Sequence, residues 1–310
     1  MSDIDSEEKL GFGLRDLDSL LNDELDRMKN ATQSENKITG LSSGFHSLDL
    51  ITSGFQNSSL IVVGGRPSMG KTSLAISICR HAIFHQDQPI VYFTMDYSAS
   101  RLTSMLVSSI SKIAHSSMRA GKISKSDREK IAGTIEELKG RKFYIDDCHT
   151  YNVQDIRRKV LQIKRKNNDQ LGLIIIDYIQ LLDFGKSRSS TLNENSKLSL
   201  TESVKYLKRA SKELNCPIMV LSQLNRNCDQ RANKRPLLSD FRGSAALRGE
   251  ADLALMLYRP SAYGYDVEEL ELGPEKKDLT ELLVSENTTG AIGMVRLRNS
   301  SDYIGFEDWD

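Results

Sequence analysis

Residues 60–72 read Leu-Ile-Val-Val-Gly-Gly-Arg-Pro-Ser-Met-Gly-Lys-Thr. The apolar residues 60–63 predict a buried strand, and four apolar residues follow the stretch at helical spacing: Leu74, Ala75, Ile78 and Ala82. Between strand and helix lies a complete G-x-x-x-x-G-K-T motif. Its glycines let backbone N–H groups approach phosphate oxygens at the positive end of a helix. This order of strand, loop and helix predicts a nucleotide-binding site.

Two residues of the motif have roles beyond the loop backbone. Lys71 is placed to reach the β- and γ-phosphates, and the Thr72 hydroxyl to hold Mg²⁺. A glycine-rich turn with a chance lysine is the alternative, which the presence of strand, loop and helix in order disfavours. The predicted nucleotide-binding residues are Gly65, Arg66, Pro67, Ser68, Met69, Gly70, Lys71, Thr72 and Ser73.

The composition is typical of a globular chain with a sizeable core. It has 310 residues, of which 39% are hydrophobic and 27% charged. No window approaches the length of a membrane span, and the acidic N-terminus lacks a signal-peptide hydrophobic region. The four cysteines have no C-x-x-C spacing, which suits reduced thiols better than a disulfide framework or a zinc site. We therefore expect a cytoplasmic location and no membrane partner.

The equal numbers of basic and acidic side chains, 42 of each, hide an asymmetry. Residues 1–37 contain five basic and ten acidic side chains, so the remaining chain carries a net charge of +5. This excess is too small to predict nucleic-acid binding by itself.

The N-terminal region is predicted to stand apart from the main domain. Residues 1–9 are predicted to be disordered, and residues 31–37 form a polar linker before a domain over 38–310. Between them, residues 10–28 carry one apolar helical stripe of Leu14, Leu17, Leu20, Leu21, Leu25 and Met28. The pattern is equally compatible with packing on the same domain and on a neighbouring subunit.

Three polar side chains follow predicted strands. Residues 173–176 are all apolar, which predicts a central parallel strand covered on both faces, with Asp177 at its carboxyl end. A carboxylate there can hold Mg²⁺ through water, and the alternative is a residue that only begins a turn. The strand 217–221 ends in Ser222-Gln223, and Gln223 can contact the γ-phosphate or the attacking water, or serve as a turn residue. Asp96 ends the strand 90–95.

Other segments complete the predicted architecture. A capping box of Ser126 and Glu129 predicts the start of a helix that ends near Gly140. Residues 153–166 predict an amphipathic helix, 185–197 a polar loop, and 282–284 with 294–297 a closing hairpin. Because strands alternate with helices, the chain is predicted to be an α/β domain with a doubly wound, mostly parallel sheet.

Several motifs in order resemble the RecA-like motor domain of DnaB-type replicative helicases, a P-loop NTPase fold, over roughly residues 38–308. In that family a linker helix, matched here by residues 10–28, docks on the adjacent subunit. The family's N-terminal domain, which interacts with primase, has no counterpart in these residues. The motifs are Thr39-Gly40 with Gly44-Phe45 and Leu48-Asp49, the run Gly65 to Thr72, Ile176-Asp177-Tyr178-Ile179-Gln180-Leu181, Leu221-Ser222-Gln223-Leu224-Asn225-Arg226, and Arg235-Pro236 through Ser239-Asp240-Phe241-Arg242-Gly243-Ser244 with Ala251-Asp252.

The resemblance implies ATP and Mg²⁺ as cofactors, a six-membered ring with ATP between subunits, and single-stranded DNA in the ring. Lys71 and Thr72 match the phosphate and Mg²⁺ ligands, Asp177 the Walker B acid, and Gln223 a sensor between nucleotide and DNA. A DNA contact through phosphates would be independent of sequence and dependent on salt. The residues that match the DNA-phosphate loop are Arg242, Gly243, Ser244 and Ala245.

Two positions depart from the family pattern. Asp96 stands where the family has the glutamate that acts as general base, and an error of about 1 Å at such a group can cost about a hundredfold in rate. Ser285-Glu286-Asn287 stands where the family has a K-x-R that reaches the neighbour's nucleotide. Arginine fingers contribute about 10³–10⁵ to turnover. A shifted alignment would recruit Arg296 or Arg298 instead.

The leading interpretation is a DnaB-like, ATP-binding helicase motor in DNA replication, with weakened hydrolysis. It predicts Lys71, Asp96, Asp177 and Gln223 as catalytic residues. The rival is a degenerate paralogue that binds ATP and regulates or assembles with a true helicase. A third interpretation, a RecA- or RadA-like recombination ATPase, is disfavoured by the helicase-like motifs. The partners implied are single-stranded DNA, further copies of this chain, and a replicative helicase, primase or loader.

Overall fold

The protein is described here from a computed structural model, which covers residues 17–33, 38–148, 152–181, 194–241, 247, 249–263 and 278–309. Within these residues, nine strands form one sheet. The strands are β1 (Leu60–Gly65), β2 (Ile90–Thr94), β3 (Phe143–Asp146), β4 (Leu173–Asp177), β5 (Ile218–Gln223), β6 (Leu253–Tyr258), β7 (Leu279–Asn287), β8 (Gly293–Asn299) and β9 (Phe306–Asp308).

The strand order is β3-β2-β4-β5-β1-β6-β7-β8-β9. The first six strands in this order are parallel to one another, and β7, β8 and β9 are added in antiparallel fashion. The predicted α/β class with a mostly parallel sheet is confirmed. The predicted closing hairpin is confirmed too, because Leu282 pairs with Val295.

Helices cover both faces of the sheet, which is why its central strands are apolar throughout. On β1, Ile61 and Val63 face one core with α3 (Lys71–His85) and α4 (Ala99–Ser111), whereas Leu60 and Val62 face a second core with α7 (Val153–Lys166) and α8 (Glu194–Leu214). The helices are α1 (Leu17–Gln33), α2 (His46–Thr52), α3 (Lys71–His85), α4 (Ala99–Ser111), α5 (His115–Ala120), α6 (Lys125–Leu138), α7 (Val153–Lys166) and α8 (Glu194–Leu214).

The end of the sheet packs beneath the loop between β1 and α3. Phe306 on β9 is fully buried, and its backbone N–H donates to Ser77 Oγ on α3 at 2.8 Å. Arg80 donates to the Phe306 carbonyl at 3.1 Å. Gly70 has no room for a side chain, since a Cβ there would lie 2.8 Å from the Phe306 ring. β9 is therefore a structural support of the loop.

Helix α1 keeps its apolar stripe exposed. The described stripe residues are 43–68% exposed: Leu17, Leu20, Leu21, Leu25 and Met28. The helix continues to Gln33, so residues 31–33 of the predicted linker are helical. The predicted disorder over 1–9, the first helical residues 10–16 and the linker residues 34–37 lie outside the described residues.

Two predicted element starts were wrong. The capping box of α6 is formed by Ser124 and Asp127, two residues before the predicted pair of Ser126 and Glu129. Helix α8 begins at Glu194, inside the predicted loop 185–197, whose other residues up to 193 lie outside the description. None of the helices in the described ranges has the length and apolar character that crossing a membrane requires.

Candidate nucleotide-binding site

The loop between β1 and α3 turns its backbone toward the helix start. Ser68 and Gly70 have left-handed φ angles of 64° and 95°, and Gly70 is the residue that precedes α3. Alternation of such conformations points successive N–H groups into one concavity, and the helix adds the positive end of its dipole. The loop therefore has the features of a phosphate-binding site.

Lys71 lies folded over the loop. Its Nζ donates to the Gly65 carbonyl at 3.0 Å and to the Arg66 carbonyl at 3.2 Å. Burial lowers the pKa of Lys71, and the negative charge of Asp177 opposes this effect. Both of its acceptors are neutral carbonyls, so a bound phosphate would be a stronger partner for the ammonium group.

Asp177 is the buried carboxylate of the site, only 2% exposed at the end of β4. Its Oδ2 accepts hydrogen bonds from the Thr72 hydroxyl at 2.8 Å and from the Tyr92 hydroxyl at 3.0 Å. Burial raises the pKa of Asp177, and these two hydrogen bonds oppose the rise. The hydroxyl and the carboxylate predicted to hold Mg²⁺ are therefore in direct contact.

Gln223 lies directly beside the loop, because it pairs with Gly65 in the parallel register of β1 and β5. Gln180 fixes this strand end: its amide donates to Ser222 Oγ at 3.0 Å and to the Gln223 carbonyl at 3.1 Å, and it accepts from the Gln223 N–H at 3.2 Å. A side chain on such a fixed backbone can sense what occupies the loop.

Asp96 follows β2 and faces the same opening. Its carboxylate is exposed, and its charge acts on both Lys71 and Asp177. The β2 and β4 ends are joined by a hydrogen bond from the Met95 N–H to the Asp177 carbonyl at 2.9 Å. The structure thus brings together all four predicted catalytic residues, which are far apart in sequence.

These groups line one open cleft of about 340 Å³, a size suited to a nucleotide. The cleft offers a phosphate loop and hard oxygen donors, which is the donor set that Mg²⁺ prefers, so its residues fit ATP with Mg²⁺. The lining residues are Pro67, Ser68, Gly70, Lys71, Thr72, Ser73, Asp96, Tyr97, Met105, Asp177, Tyr178, Gln223, Arg259 and Asn299.

Comparison with known proteins identifies the family. The model of the DnaB-like helicase C terminal domain matches residues 40–308. The chain belongs to this family. A probable replicative DNA helicase from Trieres chinensis is 38% identical over 273 residues, which are 88% of this chain and 58% of the relative. The replicative DNA helicase DnaB of Geobacillus stearothermophilus is 33% identical over 97% of this chain and 63% of its own length. The chain thus spans about 60% of these relatives.

Solved structures give the same family. The ATPase domain of G40P superimposes with a TM-score of 0.85 and 27% identity, over 96% of this chain and all of that one. A DnaB-like replicative helicase, whose structure was described with its interactions with primase, gives 0.82 and 26% over 98% of this chain and 70% of that one. The RadB recombinase, at 0.50 and 18% over 87% of this chain and all of that one, shares the fold alone. The helicase interpretation is therefore favoured over the recombinase one.

Sequence reasoning missed several cleft residues of this DnaB-like domain, and two of them, Tyr97 and Arg259, carry groups that can act on a bound nucleotide. Tyr97 follows Asp96, and Arg259 follows β6 immediately. Arg259 is half-buried, and its Nε is buried without a hydrogen-bond partner in the described part of the chain. Burial lowers the pKa of Arg259, and the charge of Asp278 opposes this effect. A basic residue at the end of an apolar strand next to the P-loop strand is the signal that could have found it.

The Arg66 side chain turns away from the cleft. Its Nε donates to Asp229 Oδ2 at 2.9 Å, and its NH1 to the Leu224 carbonyl at 3.0 Å. Tyr263 donates to the other oxygen of Asp229 at 3.0 Å. Arg66 is thus tied to the segment after β5, and only its backbone is left to serve the phosphate loop.

Residues 285–287, which replace the DnaB-type K-x-R, lie at the amino-terminal ends of the parallel strands. The chain's own cleft lies at the carboxyl ends of those strands. Asn287 pairs with Leu253 at the start of β6, whereas the phosphate loop follows the opposite end of the parallel strand β1, roughly 17 Å away along the strands at about 3.3 Å per residue. Ser285 is the extra residue of a β-bulge, since Val284 pairs with Leu255 and Glu286 with Ala254. Groups here therefore face away from the chain's own cleft.

The alternative cations lie elsewhere. Arg296 pairs with Glu281 and Arg298 with Leu279, toward the edge of the sheet that carries the chain's own cleft. The Arg298 guanidinium lies 5.6 Å from the centre of the Trp309 ring. Neither arginine lies at the end of the strands that carries Asn287. The fold therefore does not support a shifted alignment in which Arg296 or Arg298 replaces the family's arginine.

The predicted DNA-binding residues Arg242, Gly243, Ser244 and Ala245 lie outside the described residues. The residue before them, Phe241, is buried and pairs with Leu224 just after β5. Its ring fills the space that a side chain at Gly64 would need, at 2.6 Å from the Cβ position. The start of this loop thus packs on the strand that leads into the phosphate loop.

Proposed function

We propose that this chain is an ATP-driven motor domain that moves on single-stranded DNA during replication. The observation that carries the proposal is the contact between Thr72 and Asp177, with Lys71 and Gln223 in the same cleft. This is the arrangement that a Mg²⁺-dependent phosphoryl transfer needs. The family match adds the helicase class, because the relatives are named replicative DNA helicases.

Each cleft residue has a defined task in this proposal. The backbone N–H groups of the phosphate loop and the Lys71 ammonium bind the β- and γ-phosphates, while Thr72 and Asp177 hold Mg²⁺, Asp177 through water. Bound Mg²⁺ would neutralise charge that develops on the phosphate oxygens. Asp96 accepts the proton of the attacking water, and Gln223 contacts the γ-phosphate.

The motor is proposed to work as an oligomer, the six-membered ring of the family being the expected form. The exposed stripe of α1 offers an apolar surface for a second copy. The segment 285–287 faces away from the chain's own cleft, which suits a position beside a neighbour's nucleotide. Primase is a proposed partner because one structural relative was described with it; a loader is proposed on the family resemblance alone.

Hydrolysis is proposed to be slow. Ser285, Glu286 and Asn287 bring no cation to the neighbour's site and add one negative charge. Since a trans arginine contributes about 10³–10⁵ to turnover, this loss outweighs the shortening of the acid at Asp96. The lack of a cation in residues 285–287 also favours a second candidate function, that of an ATP-binding subunit that regulates or assembles with a true helicase.

Steady-state ATP turnover, measured with and without single-stranded DNA, tests the proposal. We expect slow, DNA-stimulated turnover in the wild type and loss of ATP binding in Lys71→Ala, as measured by calorimetric titration. A matched control is Lys166→Ala, which removes an exposed ammonium at the end of α7. Binding without any turnover would favour the regulatory subunit, and a folded wild type that takes up no ATP would refute both functions.

DNA binding is tested at Arg242. We expect Arg242→Ala to weaken single-strand binding for all sequences and to reduce the slope of log affinity against log salt by about one phosphate contact. Fluorescence anisotropy over a salt series measures both quantities. A variant with the wild-type slope would show that Arg242 does not contact the phosphate backbone.

A further inference from the structure

Tyr97 is held in the cleft by its own backbone. The Thr94 hydroxyl accepts a hydrogen bond from the Tyr97 N–H at 3.1 Å and donates one to the Tyr97 carbonyl at 3.1 Å. Thr94 is the last residue of β2 and is fully buried. A single side chain thus fixes both polar groups of the Tyr97 peptide on the rigid central sheet.

The ring of Tyr97 is fixed as well. The Arg101 guanidinium lies 4.5 Å from the ring centre, within the range of a cation–π contact. Arg101 itself sits in the first turn of α4, where its N–H donates to the capping hydroxyl of Ser98 at 3.3 Å. The direction of the phenol is therefore set by contacts on β2 and α4.

The phenol faces the proposed reaction centre. Tyr97 lines the cleft with Thr72, Asp96 and Asp177. Burial and then the charges of Asp96 and Asp177 raise the pKa of the Tyr97 phenol, while Arg101 and the Thr72 hydroxyl oppose the rise. A phenol keeps its proton at neutral pH even without such effects, so the Tyr97 hydroxyl is available as a hydrogen-bond donor.

Asp96 leaves a task for such a donor. Its carboxylate is exposed, and no hydrogen bond to another described side chain holds it in place. A short carboxylate that no side-chain hydrogen bond holds can accept a proton, but it orients a water molecule poorly, because orientation requires a fixed partner.

We propose that Tyr97 is a catalytic residue whose hydroxyl hydrogen-bonds the water that attacks the γ-phosphorus. The inference rests on the proposed ATPase function and adds a residue to it. The water oxygen forms a bond to the γ-phosphorus, the bond from that phosphorus to the oxygen of the ADP leaving group breaks, and one water proton passes to Asp96. The Tyr97 proton stays on the phenol throughout. Tyr97 thereby compensates for the short acid beside it.

A double-mutant cycle tests this inference with the full chain. We expect Tyr97→Phe to lower kcat about tenfold, the effect of one lost hydrogen bond, with KM for ATP and the affinity for ADP unchanged. Asp96→Glu should raise kcat, and in that background Tyr97→Phe should cost about threefold or less. The matched control is Tyr144→Phe, which removes a hydroxyl that contacts Asn167 outside the cleft.

A second readout separates structure from chemistry. Tyr97→Phe should weaken binding of ADP with aluminium fluoride and Mg²⁺ about tenfold while binding of ADP alone stays the same. Wild-type turnover in Tyr97→Phe, or an equal loss with and without the Asp96→Glu substitution, would overturn the inference alone. A wild type that binds ATP without turnover would overturn it together with the proposed ATPase.

Discussion

At the scale of single residues, the cleft almost completely buries the carboxylate that is proposed to hold Mg²⁺. Asp177 is 2% exposed, and burial raises its pKa in spite of two hydrogen bonds. A carboxyl group with a folded pKa above its unfolded value destabilises the folded state at higher pH; this penalty starts to shrink as the pH falls through the folded pKa and is gone below the unfolded pKa. The metal-free protein is therefore less stable, at a pH where Asp177 is charged, than it would be with a neutral group at this position.

The expected consequence is a stabilised but inactive variant. Asp177→Asn should raise the midpoint of thermal unfolding of the metal-free protein by a few degrees, and the gain should shrink as the pH is lowered. It should also abolish the further stabilisation that Mg²⁺ with ATP gives the wild type. Thermal unfolding over a pH series measures both, with Asp169→Asn, an exposed carboxylate outside the cleft, as control. A lower midpoint than wild type would contradict the argument.

Arg259 gives a second prediction at this scale. A half-buried guanidinium with no partner for its Nε among the described residues should bind a phosphate of the nucleotide in the same chain. We expect Arg259→Ala to weaken ATP binding about tenfold or more, measured by calorimetric titration. Arg165→Ala, which removes an exposed arginine at the end of α7, should bind like the wild type. Equal affinities in the two variants would remove Arg259 from the site.

At the scale of elements, the sequence predicts the ends of a helix correctly where a distinctive local signal marks them. The bounds of α7 agree with the prediction because its end carries Lys164-Arg165-Lys166. The start of α6 did not agree, since Ser124 and Ser126 each precede an acidic residue by three positions. Only the extended backbone at Ser124, fixed by the preceding turn, selects between them.

The cleft follows the same logic. Lys71, Thr72, Asp177 and Gln223 were predictable because each ends or follows a strongly apolar strand within a motif. Tyr97 and Arg259 were not, because no motif marks either side chain: the place of Arg259 depends on a non-local strand pairing, and that of Tyr97 on a local contact with Thr94 after the end of β2. The pairing of β6 with β1 brings Arg259 to the loop, and the bonds from Thr94 aim Tyr97 into it.

Substitutions at Ser285 and Asn287 of strand β7 should have the largest effect on ATP turnover. Ser285→Lys with Asn287→Arg should raise ATP turnover, and only under conditions where the chain is oligomeric, since these positions face away from their own cleft. Asn287 donates to the carbonyls of Ile51 and Ala291, so the double variant should also unfold at a slightly lower temperature.

Turnover against protein concentration measures this effect. Thr289→Arg places the same charge in the adjacent turn and serves as the control, with no gain expected. A brisk wild-type rate, equal to that of the double variant, would mean that Arg296, Arg298 or a partner subunit supplies the charge.

At the scale of the whole molecule, α1 lies outside the two cores that flank the sheet. Its five described stripe residues are 43–68% exposed, although an isolated helix of this length is marginal in water. We expect deletion of residues 1–37, or Leu21→Glu with Leu25→Glu, to lower the mass seen by light scattering. Asn22→Glu adds charge to an exposed residue between them and should leave the mass unchanged. An unchanged mass in the deletion would favour packing of α1 on its own domain.

Because Phe306 supports the phosphate loop, the site is completed only late in synthesis of the chain. Ser77 and Phe306 are 229 residues apart in sequence, yet Phe306 packs beneath the phosphate loop and hydrogen-bonds Ser77 on the helix that follows it. Because a ribosome delivers residues in order, a nascent or prematurely ended chain displays the whole G-x-x-x-x-G-K-T motif without its support. Such a fragment should bind ATP more weakly than the full chain, so incomplete copies would compete poorly for the nucleotide.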